Sequence, residues 1–316
     1  MPGSPVHAGV AADVADVTVG GAVGQAVGGA LGRAATMDVE PIDRRLVHRV
    51  AMSEVYLTGS GVLGPDDYTV HAQWPRRHHF FSPERRGGDL VLAAETLRQA
   101  VILTAHRYYD VPLDHAFSMR GLSVELTGAG GGHALVPTEI DIRVGIDGVR
   151  SGSRGVTSFR AHLTFVHEGV VVARGTGDLQ VLDSRLYARM RPTAVRSDAL
   201  APSSPMRRGV RLVPVASGTR PTWLVDMDLE HPVFFDHPLD HVPGMLVIEA
   251  ARQAVDAVRG ESGLSSSSFE GTFLSYLELD RPVLVSHVPG DGAGPPDDVL
   301  LAVHQDDRLA AELRLR

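Results

Sequence analysis

The 316-residue chain has no cysteine and no lysine, and all 30 of its basic residues are arginine. The first absence excludes disulfides, thiolate metal sites and a cysteine nucleophile. The second excludes a Schiff-base lysine and the lysine of a phosphate-binding P-loop. No apolar run reaches the roughly 20 residues needed to cross a bilayer as a helix. The N-terminus lacks a basic stretch ahead of an apolar one, so no signal peptide is read there and the expected location is the cytoplasm, away from membrane. A net charge of −8 argues against a nucleic-acid partner held by bulk charge.

What is present is 43% hydrophobic, enough for one large core or two ordinary domains. Residues 1–40 read as a disordered extension. They are rich in Gly, Ala and Val, with no aromatic residue in the first 36, and the glycines of GGAVGQAVGGALG oppose a helix. A first domain follows over 41–190. Its extended segments are 46–59 and 67–75, then 115–126, 134–146, 156–169 and 170–182, the last two joined as a hairpin at His167–Glu168–Gly169. Between the two groups lies a helix over 89–109, with Asp89 as its cap. Residues 191–206 are rich in Pro, Ser and Arg and read as a linker. A second domain occupies 207–316. Its extended segments are 209–216 and 222–229, then 269–286, 297–305 and 308–316, with a helix over 243–260 that stops at Gly260.

The two domains superpose without a gap at a shift of 154 residues. FFSPERRGGDLVLAAETLRQAV (80–101) lies over FFDHPLDHVPGMLVIEAARQAV (234–255), with eight identities in 22 positions. The pairs are Phe80/Phe234, Phe81/Phe235, Leu92/Leu246, Glu95/Glu249, Arg98/Arg252, Gln99/Gln253, Ala100/Ala254 and Val101/Val255. Two copies are too few for a solenoid, so the repeat predicts a pseudo-dimer within one chain, each long helix wrapped by a curved sheet.

Each helix carries its glutamate in a nearly all-apolar context, where an unpaired carboxylate is costly. Two readings stay open. Glu95 and Glu249 pair locally with Arg98 and Arg252 at i,i+3 and with Gln99 and Gln253 at i,i+4, or they face a pocket where burial tunes them for proton transfer. Histidines cluster before both helices: His78 and His79 in the first copy, and His231, His237 and His241 in the second. They favour a site of proton chemistry. A zinc site on Asp236, His237, Asp240 and His241 is the rival, opposed by Pro238 between them; no metal or cofactor is expected.

His237-Pro-Leu-Asp-His-Val-Pro-Gly-Met-Leu-Val-Ile-Glu249-Ala-Ala-Arg-Gln resembles the hotdog dehydratases that act on acyl carrier protein thioesters, with a shorter loop between His237 and Pro243. A closer resemblance, over nearly everything after the extension, is to the A-factor synthase family of actinobacterial signalling-molecule synthases. It is carried by VHRVAMSEVYLTG (47–59), AQWPRRHHFFSP (72–83), LAAETLRQA (92–100), HRYYDVPLDHAF (106–117) and DHPLDHVPGMLVIEAARQA (236–254). The resemblance implies an α+β fold of tandem hotdog-like repeats, pseudo-dimeric, each a long central helix wrapped by a curved antiparallel sheet. It also implies an acyltransferase that moves a β-ketoacyl group from acyl carrier protein to the hydroxyl of dihydroxyacetone phosphate, on the way to a butenolide or γ-butyrolactone autoregulator.

A mechanism that fits these residues takes Glu95 or Glu249 as base, with His78, His79 or His237 sharing the proton. Backbone N–H groups near Gly88, Asp89 and Gly244 polarise the thioester carbonyl. Arg98, Arg252, Arg76 and Arg77, with Arg85 and Arg86 behind them, meet the phosphate, and Gln99 and Gln253 complete the substrate contacts. Phosphate handling is expected in the first copy, while the choice of active copy and further oligomerisation stay open. A hotdog dehydratase or thioesterase, or a non-catalytic sensor of acyl ligands, is the alternative.

Overall fold

The computed structural model describes residues 41–82, 88–129, 136–200, 209–216, 220–260, 266–290, 295 and 297–316. The extension expected over 1–40, Arg85 and Arg86 lie outside the described residues. The first copy runs β1 (Leu57–Gly64), β2 (Asp67–Trp74), α1 (Leu90–Tyr108), β3 (Ala116–Leu126), β4 (Thr138–Gly152), β5 (Gly155–His167) and β6 (Val170–Leu182). A short α2 (Ser184–Met190) leads on to β7 (Val210–Pro214), β8 (Thr222–Met227), α3 (Gly244–Arg259), β9 (Ser268–Phe273), β10 (Leu284–Val288), β11 (Val299–Gln305) and β12 (Arg308–Leu315). The described strands form one sheet in the order β1-β2-β4-β5-β6-β3-β9-β12-β11-β10-β8-β7, and every printed pairing is antiparallel.

Read from either edge, that order gives the same topology twice. The copies meet where their third strands pair, from Gly121 opposite Thr272 to Glu125 opposite Ser268. The shift of 154 residues places Leu90 of α1 on Gly244 of α3, and both are first helical residues. Repeat-equivalent Phe80 and Phe234 touch edge to face at 4.9 Å, as self-matching residues do at a two-fold interface. The fold is thus a pair of hotdog-like units in tandem.

Burial explains the sequence patterns. From Leu90 to His106, α1 is buried at every position but Arg98, because the sheet wraps one side and α3 and the N-terminal turns cover others. Gly175 in β6 allows this closeness: a Cβ there would strike the Leu97 side chain and lie 2.6 Å from the Ser123 carbonyl. At the β5–β6 hairpin both Glu168 (φ 49°) and Gly169 (φ 79°) are left-handed, the backbone that suits a two-residue turn between twisted strands. No helix among the described residues is long and apolar enough to cross a membrane.

Two extended segments read from sequence are broken. Within 46–59, Arg44–Val47 and Met52–Glu54 are 3-10 turns around a left-handed His48 (φ 51°). Within 269–286, the ladder stops at Phe273. There the Gln305 side chain takes the place of a strand: it accepts from the Glu278 N–H and donates to the Glu278 and Arg281 carbonyls. The linker, described as far as residue 200, is anchored. The Ser197 N–H donates to the Leu239 carbonyl at 2.8 Å, and its Oγ accepts from the Leu239 N–H at 3.1 Å.

Candidate active site

The two glutamates hold matching polar clusters. Glu95 is 1% exposed. Its carboxylate accepts from Arg98 Nε and Nη2 (both 2.9 Å), Gln99 Nε2 (2.7 Å) and Arg49 Nε (3.1 Å). Burial alone would raise its pKa, but Arg49 and then Arg98 hold it down at about 2. Glu249, 4% exposed, accepts from Arg252 Nε (2.8 Å) and Nη2 (2.7 Å) and from Gln253 Nε2 (2.7 Å). Gln99 also donates to the Glu54 carbonyl, and Gln253 to the Val210 carbonyl. These buried glutamates are arginine anchors in both copies.

Arg49 carries the first cluster across to the second copy. Its Nη1 donates to the Val233 carbonyl at 2.6 Å and lies 3.6 Å from Asp236 Oδ1. Asp236 in turn accepts from the Val50 N–H (2.8 Å) and from His237 Nδ1 (2.5 Å). Against its burial, the His237 hydrogen bond and the Arg49 charge hold Asp236 at a pKa of about 2. The aspartate therefore stays an acceptor and fixes the His237 proton on Nδ1. In the neutral ring Nε2 then carries the lone pair, and it has no hydrogen bond among the described residues. Four residues on, Asp240 and His241 Nδ1 repeat the arrangement at 2.7 Å, with the Tyr187 hydroxyl of α2 donating to Asp240 at 2.8 Å.

His237 and His241 both line a cavity of about 250 Å³ between the copies. Its polar lining includes His48, Arg49, Arg98, Asp236 and His237. Its apolar wall includes Met119 and Leu122 of β3, Val247 and Ile248 of α3, Phe273 and Ala311. The first turn of α3 opens into it at Gly244 and Met245. That helix start is uncapped: Pro243 offers no side-chain acceptor, and the N–H groups of Gly244 and Met245 have no partner among the described residues. Such a terminus receives a partial negative charge. Arg98 faces the same space with Nη1 free of hydrogen bonds among the described residues.

His48 is held neutral. His106 Nδ1 donates to the Val111 carbonyl (2.7 Å), so its Nε2 accepts from His48 Nε2 (2.9 Å). Burial, with His106 and Arg98 nearby, pushes the His48 pKa down to about 3.

Of the residues singled out from sequence, Arg98, Asp236, His237, His241 and Gly244 line this cavity. Glu95 and Gln99 stand behind Arg98. Glu249, Arg252 and Gln253 form the equivalent cluster on the far copy. Asp89 closes the start of α1: its carboxylate accepts from the Val91 and Leu92 N–H groups (2.9 and 3.0 Å) and from the Ser82 N–H (2.6 Å). Gly88 takes the left-handed backbone just before it (φ 93°). Arg76 and Arg77 are exposed and do not line the cavity.

His78, His79 and Glu54 gather elsewhere, with potential ligand atoms within 4.8 Å of one another. His78 Nδ1 accepts from the Phe80 and Phe81 N–H groups (3.2 and 3.1 Å), which leaves Nε2 protonated toward Glu54 Oε1 (3.3 Å). That ring has no lone pair to offer a cation. His48, Arg49 and Tyr276 also line the cavity between the copies and were not read from sequence as functional. The first two stand in the 47–59 stretch, and their role depends on contacts more than 180 residues away, such as Arg49 to Val233.

The candidate site is thus a cavity between two hotdog-like units, lined by a helix terminus, a carboxylate-backed imidazole and apolar side chains. Residues 33–183 and 211–316 match the A-factor biosynthesis hotdog domain, and the chain belongs to that family. It is 34% identical over 275 residues to a 2-oxo-3-(phosphooxy)propyl 3-oxoalkanoate synthase of Streptomyces virginiae, covering 84% of this chain and 94% of that protein. It is 31% identical to the protein of the same name from Streptomyces coelicolor, covering 85% and 89% respectively. Among solved structures, an oleoyl thioesterase from Lactobacillus plantarum superposes with a TM-score of 0.50 at 11% identity, covering 79% of this chain and 94% of that one; at that identity the likeness shows the fold alone.

Proposed function

We propose that the chain transfers a β-ketoacyl group from a thioester, carried by acyl carrier protein in the cytoplasm, to the free hydroxyl of dihydroxyacetone phosphate. The product is a 2-oxo-3-(phosphooxy)propyl 3-oxoalkanoate, the compound in the names of its Streptomyces relatives. The observation that carries this reading is the convergence, in one cavity, of the open α3 terminus, the Asp236–His237 pair and the free edge of Arg98. In this reading the second copy is the reacting one and the first contributes Arg98.

The acyl chain lies along the apolar wall with its thioester carbonyl at the Gly244 and Met245 N–H groups. His237 Nε2 takes the proton of the acceptor hydroxyl as its oxygen attacks the carbonyl carbon. The carbonyl π pair moves onto oxygen, where the helix terminus stabilises it. The tetrahedral species collapses with cleavage of the C–S bond, and the thiolate recovers the proton from His237. Asp236 keeps the ring in the required tautomer and steadies its charged form. Arg98 meets the acceptor's phosphate. Glu95 and Glu249 act as positioning groups, holding Arg98 and Arg252.

Purified protein is mixed with a β-ketoacyl thioester and dihydroxyacetone phosphate, and products are followed by mass spectrometry. A phosphorylated ester that requires both substrates is the expected result. Free β-keto acid alone would instead make the chain a thioesterase, and binding without turnover would make it a sensor.

A further inference from the structure

A second chamber of about 380 Å³ shares His48, Phe117, Leu239 and His241 with the cavity between the copies, so the two spaces meet along these side chains. The cavity has an apolar wall, whereas Tyr187, Arg191, Arg196 and Asp240 give the second chamber a polar one. At the junction His48 has a ring nitrogen to spare.

The turn that carries His48 is tied to both sides of the proposed site. The Val47 carbonyl accepts from Arg98 Nη2 (3.4 Å), and the Val50 N–H donates to Asp236 (2.8 Å), the carboxylate behind His237. His48 itself is left-handed (φ 51°), and its ring centre lies 5.0 Å from those of His106 and Phe117. Because its Nε2–H donates to His106 Nε2 (2.9 Å), its lone pair is on Nδ1. That atom has no hydrogen bond among the described residues. Unlike His71 Nε2, which is buried and unbonded, it is open to solvent. With its pKa held at about 3 by burial and by His106, the ring accepts a hydrogen bond without taking up the proton.

The reactants offer few donors for such a lone pair. A β-ketoacyl chain has no N–H or O–H in its keto form. The acceptor's ketone and ionised phosphate have none, and its hydroxyl is claimed by His237. A carrier-borne thioester, however, holds its sulfur on a cysteamine unit, with an amide N–H two carbons away. We infer that His48 Nδ1 accepts a hydrogen bond from this cysteamine amide, and that the carrier arm continues from there into the second chamber. The inference rests on the reading that the chain takes an acyl thioester. No bond forms or breaks at His48, which fixes the arm and with it the position of the thioester.

The test compares two β-ketoacyl thioesters of the same chain length: the N-acetylcysteamine thioester and its 2-acetoxyethyl analogue, in which oxygen replaces the amide N–H. The wild type should prefer the amide in kcat/KM by about 3- to 10-fold, the worth of one neutral hydrogen bond. His48→Gly, which suits the left-handed backbone, should erase the preference. His48→Asn, which also tolerates that backbone and places an amide oxygen near the lost Nδ1, should restore part of it. A wild type indifferent to the swap would overturn the inference. So would a His48→Gly variant that slows equally with both thioesters and keeps their ratio, since it would have lost structure and not this bond. Should the wild type bind thioesters but make no ester, the transferase reading fails, and the ratio of Kd values from calorimetry still decides for or against His48. If it binds no thioester, both fail together.

Discussion

The two long helices descend from one repeated sequence, yet their first turns have opposite fates. At the start of α1, Asp89 folds its carboxylate over the Val91 and Leu92 N–H groups and also takes the Ser82 N–H. At the equivalent position of α3 stands Pro243, which has no side-chain acceptor, and Gly244 and Met245, whose N–H groups have no partner among the described residues, line the cavity. The first helix carries its own anion, whereas the second leaves a place for one. Below these ends the copies stay alike, with Glu95, Arg98 and Gln99 matched by Glu249, Arg252 and Gln253. The glutamate cluster is therefore common to both units, and the chemistry proposed above turns on what stands before the helix.

If so, damage to the two copies has unequal results. The largest effect is expected for His237→Ala, which removes the only base that the proposed mechanism assigns. Its turnover should drop about 10²- to 10⁴-fold, while His78→Ala, in the corresponding segment of the first copy, leaves turnover near the wild-type level. Steady-state kinetics with both substrates separates the two; a His78 variant as inactive as the His237 variant would move the chemistry to the first copy. Next comes Pro243→Asp, which gives α3 the cap that α1 has. It should stabilise the helix by about 1 kcal/mol and cut turnover about 10²- to 10³-fold, because a carboxylate then occupies the donors meant for the oxyanion. Higher stability with full activity would show that the open terminus has no part in the reaction.

Arg98 and Arg252 make the third contrast. Each is paired to a buried glutamate, but only Arg98 lines the cavity. Arg98→Met should raise KM for dihydroxyacetone phosphate about 10- to 100-fold, the loss of a charge-assisted bond of roughly 1.5–3 kcal/mol, and affect the thioester's KM much less. Arg252→Met should leave both KM values in place and weaken the fold, since it strips Glu249 of its charge partner; breaking such a pair costs about 3–5 kcal/mol. A matching rise in acceptor KM for both variants would show that neither arginine meets the phosphate.

The sequence made the repeat, both long helices and most strands legible, because apolar periodicity and the gapless duplication are local signals. It also showed that Glu, Arg and Gln share a helix face. It left open whether that face meets a pocket, since Glu95 is saturated by Arg49, which lies 46 residues away and reaches it only in the folded chain. His48 and Tyr276 were invisible for a related reason. The first gains its place from a left-handed turn inside what reads as strand, and the second from a break that the distant Gln305 side chain stabilises. The Asp236–His237 and Asp240–His241 pairs were seen as spacing, from which proton chemistry was favoured and a zinc site was the rival. Only the packing of α2 and the 197–200 turn against the 236–241 loop shows them as hydrogen-bonded pairs turned to one cavity.

The smallest effect should come from Asp89→Ala, and its smallness is the point. Removing the cap strips an acceptor from three N–H groups in the first copy and should cost about 0.5–2 kcal/mol, a fall of several degrees at most in melting temperature for a chain of this size. Because Asp89 does not line the cavity, turnover and both KM values should be those of the wild type at temperatures where the variant is folded. Opening the α1 terminus does not by itself make a second site, since the His78 ring is spent on two backbone N–H groups and Glu54. Kinetics run next to thermal unfolding decides the matter. An Asp89 variant that keeps its melting temperature but loses transfer would place the reaction at the first helix and reverse the assignment of the copies.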